Sequence, residues 1–424
     1  MAVLNRGLRV GMALLASFLN PACGPEAPER EVGGLDVGEA DLEVGHSPLP
    51  PLNREALRQA IANLPDADIT GAMVRVSGPG SHWLGMSGVS DVVTGAPVNP
   101  NGRFRIGSIT KMFTATVVLQ LAAERRVDLD RPVQHYLPGL LPAGVFKPIT
   151  VRQVLNHTHG LNGVPVPQKE WEWFRENRFR RYRPLELVNL ALAQGPRFDP
   201  GEQQDYGNIG YLIAGLLIEK VTGNPYGHEV RERILRPLGL RDTSVPGNEV
   251  DIDGPHARGY QVVDRDETGC PAGAIDYQGQ CLIDVTEASQ SVPWAAGEMI
   301  STLSDVDRFI VALFAGRLLP RAQMEELFTV PDLPSVDGGR ANYSAGLARF
   351  VINGVTVWGK SGDRHGYNNG VGATRDLRRR LVFSVNTLRM GQLQQPAVAG
   401  RIIVAAMGGA PEEGRVAGSR RSEP

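Results

Sequence analysis

Lysine is scarce in this chain. Only five of its 44 basic residues are Lys and the rest are Arg, so positions that need charge alone are filled by guanidinium. A surviving Lys marks a site where an amine that can lose its proton is required. Other features are missing altogether. No Gly-x-Ser-x-Gly elbow occurs, which removes the α/β-hydrolase way of presenting a serine. His228-Glu229 lacks the second histidine of a metalloprotease helix and the eight histidines are scattered, so no metal and no other cofactor is expected. After the first 25 residues no apolar run is long enough to span a bilayer. With 44 basic against 46 acidic residues there is no electrostatic case for a nucleic-acid partner. No internal repeat is evident.

What remains is the composition of a packed globular enzyme, 42% hydrophobic and 21% charged. Within it, Ser108-Ile109-Thr110-Lys111 leads into Met112 to Leu121, an apolar stretch without Gly or Pro that reads as a buried helix. On such a helix Ser108 and Lys111 share a face. A serine hydroxyl must lose its proton during attack, and a desolvated amine one turn away can take it. The helix N-terminus, with its unpaired N–H groups, favours negative charge developing beside Ser108. Taken alone, the same four residues also describe a capping serine followed by a solvated lysine.

Two distant segments carry the argument further. Asp205-Tyr206-Gly207-Asn208 precedes the apolar run Leu212 to Ile218, which places a phenol and a carboxamide just ahead of a helix. Val355 to Gly362 is a β-rich run ending in Lys360-Ser361-Gly362, and Arg380 to Val385 is the next. With Phe104-Arg105-Ile106-Gly107, Leu155-Asn156-His157-Thr158-His159-Gly160-Leu161, His256-Ala257-Arg258-Gly259-Tyr260 and Ala296-Gly297-Glu298-Met299, in that order, the chain resembles the serine β-lactamase and D-alanyl-D-alanine peptidase superfamily. The likeness is to its class C β-lactamase, DD-carboxypeptidase and esterase branch.

The resemblance implies an α+β fold of the β-lactamase/transpeptidase type, an antiparallel sheet flanked by helices plus a mostly helical subdomain. It makes Ser108 the acylated nucleophile, Lys111 its neighbouring amine and Tyr206 the phenol that relays protons. Asn208 would hold a substrate amide, and Lys360 would attract a substrate carboxylate and keep Tyr206 acidic. Ser361 and Gly362 would line the substrate-binding strand, and the N–H groups of Ser108 and Asp363 would form the oxyanion hole. Such donors are worth about 3–4 kcal/mol each.

Three positions depart from the usual pattern. Gly207 stands where Ser or Ala is common. Asp363 puts a carboxylate beside the oxyanion position, which disfavours an anionic substrate terminus unless Arg364 pairs with it. Lys360 stands where many esterase relatives carry His or Trp, which tilts the expectation toward peptidase or β-lactamase chemistry. The expected function is therefore a serine hydrolase acting through an acyl-enzyme on D-Ala-D-Ala peptides or β-lactams. A carboxylesterase and a penicillin-binding sensor without turnover are the alternatives. His157 and His159 belong to a structural loop in the resembled family. The segment 171–183, where Trp171, Trp173 and Phe174 lie among arginines, is either a lid beside the cleft or an amphipathic helix packed on the core.

The ends of the chain read differently. Residues 1–23 form a leader, with Arg6 and Arg9 before a short apolar stretch that ends at Ala22-Cys23. Cys23 is its candidate lipid anchor, tethering the protein to a membrane, and plain secretion is the alternative. Export to the bacterial cell envelope follows from either. Residues 24–50, rich in Glu, Asp, Gly and Pro, are expected to be a disordered tether, residues 51–407 the hydrolase domain and 408–424 a disordered tail. With Cys23 set aside, Cys270 and Cys281 are the remaining cysteines, and a local disulfide between them is expected in an oxidising envelope. The expected partner is a small molecule or a peptidoglycan peptide, and the protein is expected to be a monomer.

Overall fold

A computed structural model describes residues 49–390 and 396–408 of the chain. The leader with Cys23, residues 24–48 of the expected tether and residues 409–424 of the expected tail lie outside the described residues. The helices that matter below are α1 (Arg54–Ala60), α2 (Thr110–Ala123), α3 (Val151–Leu155), α4 (Trp171–Asn177), α5 (Ile209–Thr222), α6 (Leu303–Phe314) and α7 (Ala397–Ala406). The strands are β1 (Ile69–Gly78), β2 (Ser81–Gly88), β3 (Phe104–Arg105), β4 (Tyr260–Val263), β5 (Ile275–Tyr277), β6 (Gln280–Asp284), β7 (Ile300–Ser301), β8 (Ala348–Ile352), β9 (Val355–Arg364), β10 (Tyr367–Ala373) and β11 (Arg380–Thr387).

The two ends of the domain build one six-stranded sheet in the order β2-β1-β11-β10-β9-β8, every neighbouring pair antiparallel. Its strands β1 and β11 are buried on both faces because both faces are covered there, while on the edge strands β2 and β8 buried or half-buried residues alternate with exposed ones. On β1, Ala72, Val74 and Val76 meet α1 and α7, while Met73 turns into the larger core on the other side. Along β11, Leu381, Phe383 and Val385 face the first layer and Val382 the second. Alternation with a period of two sorts side chains to two cores instead of to core and solvent. On the second face Asp307 of α6 pairs with Arg75 of β1 and Arg380 of β11, tying helix to sheet across both strands.

Between β3 and β7 the chain is mostly helical, in agreement with the expected α+β architecture. The centre of this part is α2, where Lys111 and its neighbours from Thr110 to Leu119 are all buried. A helix apolar all round belongs inside. Helix α5 packs against it and is ended by Gly223, whose φ of 80° lies in the left-handed region that glycine enters without penalty.

Several expectations change in detail. The boundary of the expected tether moves, because Leu49 packs against the α1/α7 core and the Pro50 carbonyl accepts a hydrogen bond from buried Arg379. These contacts, made by half-buried residues, attach them to the domain. Cys270 and Cys281 are joined by a disulfide, which ties the loop between β4 and β5 to β6 of a small sheet of order β4-β6-β5. Strand β10 was not legible: its Tyr-Asn-Asn-Gly-Val-Gly-Ala sequence has little β propensity. It is a strand because β9 and β11 both pair with it.

Candidate active site

The nucleophile sits ahead of its helix. Gly107–Ile109 form a short 3-10 turn and α2 begins at Thr110. Gly107 has a φ of 54°, which suits glycine, and its missing side chain admits β9. A Cβ on Gly107 would lie 2.6 Å from the Asp363 nitrogen, and one on Gly362 would lie 2.9 Å from the Ser108 nitrogen. Two glycines thus bring the N–H groups of Ser108 and Asp363 alongside each other. Asn369 of β10 holds this approach, its amide donating to the carbonyls of Arg105 (2.8 Å) and Gly362 (3.1 Å).

Lys111 is fully buried and reaches back one turn. Its Nζ donates to Ser108 Oγ at 3.1 Å, to Asn208 Oδ1 at 2.7 Å and to the Ala296 carbonyl at 2.9 Å. Asn208 stands at the N-terminus of α5 without capping it through its side chain, and its carboxamide oxygen instead orients the lysine. Burial, with Lys360 as the next cause, holds the Lys111 pKa well below the usual lysine value. That shift eases loss of one proton, after which Nζ would keep its two donor bonds to Asn208 and Ala296 and turn a lone pair to Ser108 Oγ.

Tyr206 is carried by a loop that four distant contacts fix. Gln204 donates to the carbonyls of Asn156 and Tyr343 and accepts from the N–H groups of Asn342 and Tyr343. Asp205 pairs with Arg197. His157, whose φ is 63°, accepts from the Asp205 N–H through its carbonyl and from the Gly207 N–H through Nδ1. Its ring lies 4.6 Å from that of Tyr206. His157 thus clasps the residues on both sides of Tyr206, a positioning role with no local sequence signature beyond the His-Thr-His-Gly segment itself. Burial depresses the pKa of both His157 and His159, the latter to about 4, so both rings are neutral near pH 7.

The phenol differs from expectation. Burial first, and then Tyr343, push the Tyr206 pKa well above 10, although the Ser108 hydroxyl beside it works in the opposite direction. The Tyr206 hydroxyl is close enough to Ser108 for that influence, yet meets no protein group with hydrogen-bonding geometry. Lys360 does not keep it acidic. The Lys360 Nζ stands 4.6 Å from the centre of the Tyr206 ring, over its face, and donates to the Ser361 carbonyl at 3.1 Å. Burial lowers its own pKa to about 7, which weakens the cation that was to stabilise a phenolate.

Ser108, Lys111, Tyr206, Asn208, Lys360, Ser361, Gly362 and Asp363 therefore converge from the turn and first residues of α2, the loop before α5, and β9, while Cys281 lies on β6 of the small sheet and Cys270 in the loop between β4 and β5. Asp363 does not pair with Arg364. Consecutive strand residues point to opposite faces; Arg364 donates to Gln168 Oε1 at 3.1 Å, and Asp363 Oδ1 accepts from Asn368, its partner across the ladder. The segment 171–183 is docked beside the end of β9. Buried Phe174 of α4 stacks on His365 with ring centres 3.7 Å apart, and the His365 ring also contacts the Gln168 carbonyl. Arg175, Arg180, Arg181 and Arg183 are exposed, so the aromatic face packs and the arginines solvate it.

Comparison with known proteins agrees with this fold. A family model described as Beta-lactamase matches residues 57–405. The chain is 26% identical over 313 residues to penicillin-binding protein 4* of Bacillus subtilis (strain 168), covering 70% of this chain and 64% of that protein. It thus spans less than two thirds of the length of the curated relatives it matches first. Among solved structures, a D-stereospecific amidohydrolase from Streptomyces sp. superposes with a TM-score of 0.71 at 36% identity, over 84% of this chain and 98% of that one. A D-amino acid amidase from Ochrobactrum anthropi SV3 gives 0.71 at 26% identity, again over 84% and 98%.

Proposed function

As the chain belongs to the Beta-lactamase family of serine hydrolases, we propose that it cleaves amide bonds of short D-amino-acyl substrates through an acyl-enzyme on Ser108. The observation that carries this reading is Lys111: a buried amine held by Asn208 and Ala296 with its nitrogen 3.1 Å from Ser108 Oγ. In the proposed reaction Ser108 Oγ attacks the substrate carbonyl and its proton passes to Lys111 Nζ. The developing oxyanion is met by the N–H groups of Ser108 and Asp363. Tyr206, which burial keeps protonated, donates to the departing nitrogen, and water then hydrolyses the ester on Ser108 with the proton transfers reversed. D-configured donors are supported by the likeness to the Streptomyces D-stereospecific amidohydrolase and the Ochrobactrum D-amino acid amidase.

A second reading takes D-Ala-D-Ala peptides or β-lactams as substrates and is favoured by Lys360-Ser361-Gly362 on β9 and by the penicillin-binding relatives. Lys360→Ala separates the two: a loss of roughly 10- to 150-fold in kcat/KM confined to carboxylate-bearing substrates favours it. The acyl-enzyme itself is tested by mass spectrometry after incubation with a fluorophosphonate. The adduct should sit on Ser108 and disappear in Ser108→Ala, and an adduct on another residue refutes the mechanism. The Cys270–Cys281 bond supports action outside the reducing cytoplasm.

A further inference from the structure

Asp363 is a carboxylate that the proposed chemistry does not use. Its backbone nitrogen lies beside the nucleophile turn, within 2.6 Å of where a Gly107 Cβ would be. The residue is only partly buried. Asn368, opposite it on β10, holds one oxygen, and no cation forms an ion pair with it among the described residues. The nearby cations are turned elsewhere: Lys360 toward the Ser361 carbonyl and the Tyr206 ring, Arg364 toward Gln168. The charge of Asp363 is nevertheless felt at Tyr206, Tyr343 and Lys360. It therefore stands in the site, oriented by one amide and with an oxygen left to accept.

We propose that Asp363 recognises a free ammonium group on the acyl donor, so that the preferred substrates are amides of D-amino acids with an unmodified α-amine. This rests on the reading of Ser108 as the acylated nucleophile. An α-amine is one carbon from the scissile carbonyl, and the carbonyl oxygen is to be held by the N–H of the same Asp363. One residue can then meet both groups of a short donor. A charge-assisted hydrogen bond to ammonium stabilises such a donor, whereas a carboxylate near the same position meets like charge. Arg364 and half-buried Lys169 add positive field from the wall of the cleft, but the Asp363 oxygen is the group that contacts the donor directly.

The test uses the full chain and three donors at pH 7, where an α-amine is mostly protonated: D-phenylalaninamide, its N-acetyl derivative and its N-succinyl derivative. Unaltered protein should rank them in that order by kcat/KM. In Asp363→Asn the ratio of free-amine to N-acetyl turnover should fall by 10- to 100-fold. A wild-type preference for the acetylated or succinylated amide, or a ratio unchanged in the variant, overturns the proposal. The wild-type ranking decides the matter even if the variant does not fold. If Ser108 is labelled by a fluorophosphonate while none of the amides turns over, the substrate inference fails and the acyl-enzyme stands. If Ser108 is not labelled, the underlying reading fails first.

Discussion

Replacing Gly362 by Ala should disable the enzyme without touching any reacting side chain. A Cβ at that position would lie 2.0 Å from the Ile106 carbonyl oxygen and 2.9 Å from the Ser108 nitrogen, both backbone atoms that cannot swing aside. To restore van der Waals contact, β9 and the nucleophile turn must separate by about 1 Å, and closely packed interiors resist such a shift. That movement carries the Asp363 N–H away from the oxyanion, and it strains the Asn369 bridge between Arg105 and Gly362. Loss of one oxyanion donor costs roughly 100- to 1000-fold in kcat, or about 3–4 kcal/mol. The assay is kcat/KM on an activated amide for Gly362→Ala and for Gly339→Ala, where nothing lies within 4 Å of the added Cβ. Thermal melts confirm that both variants are folded at the assay temperature. Wild-type kcat in a folded Gly362→Ala would refute the claim that the close approach of β9 builds the oxyanion site.

Other outcomes follow from the same geometry. Lys111→Arg keeps the charge but offers no lone pair, so turnover should fall at least 1000-fold; retention of a tenth of the activity would make the lysine structural. Burial keeps His157 well below the ordinary imidazole range, His159 at about 4 and His365 at about 3. Unfolded imidazoles, near ~6.5, bind more protons than folded ones below that pH, so stability is full above about pH 6.5 and declines toward pH 4. Glu298, raised to about 7, opposes this with one group against three. Urea unfolding at pH 5.0 should therefore report about 2–4 kcal/mol less stability than at pH 7.5, and equal values contradict the buried neutral histidines. Reducing Cys270–Cys281 opens a loop with a sequence separation of 11, and should cost about 2–3 kcal/mol on the chain-entropy estimate; a melting temperature unchanged by dithiothreitol would show the bond to be dispensable.

How much of this was legible beforehand depends on the range of the interaction concerned. Ser108 and Lys111 are one turn apart ahead of an apolar run, so spacing offered the pair, but only the distant segments and the family resemblance they carry chose it over a capping serine with a solvated lysine. The β-rich runs at Val355 and Arg380 were readable because each carries its own branched residues. Strand β10 carries almost none, and only its two neighbours make it a strand. The groups that hold the site in shape left no local trace. Asn369 bonds a carbonyl 264 residues away, and Gln204 ties together carbonyls 48 and 139 residues distant. The protonation of Tyr206 was misjudged for the same reason. A sequence shows that a lysine accompanies the phenol, but burial also strips water from both, and the desolvation that raises the phenol pKa while lowering that of Lys360 exists only once the chain has closed around them. The amino-acid sequence by itself determined which groups are chemically available; the tertiary structure decided their charge states and which backbone donors stand beside them, because both depend on solvent being excluded by parts of the chain remote in sequence.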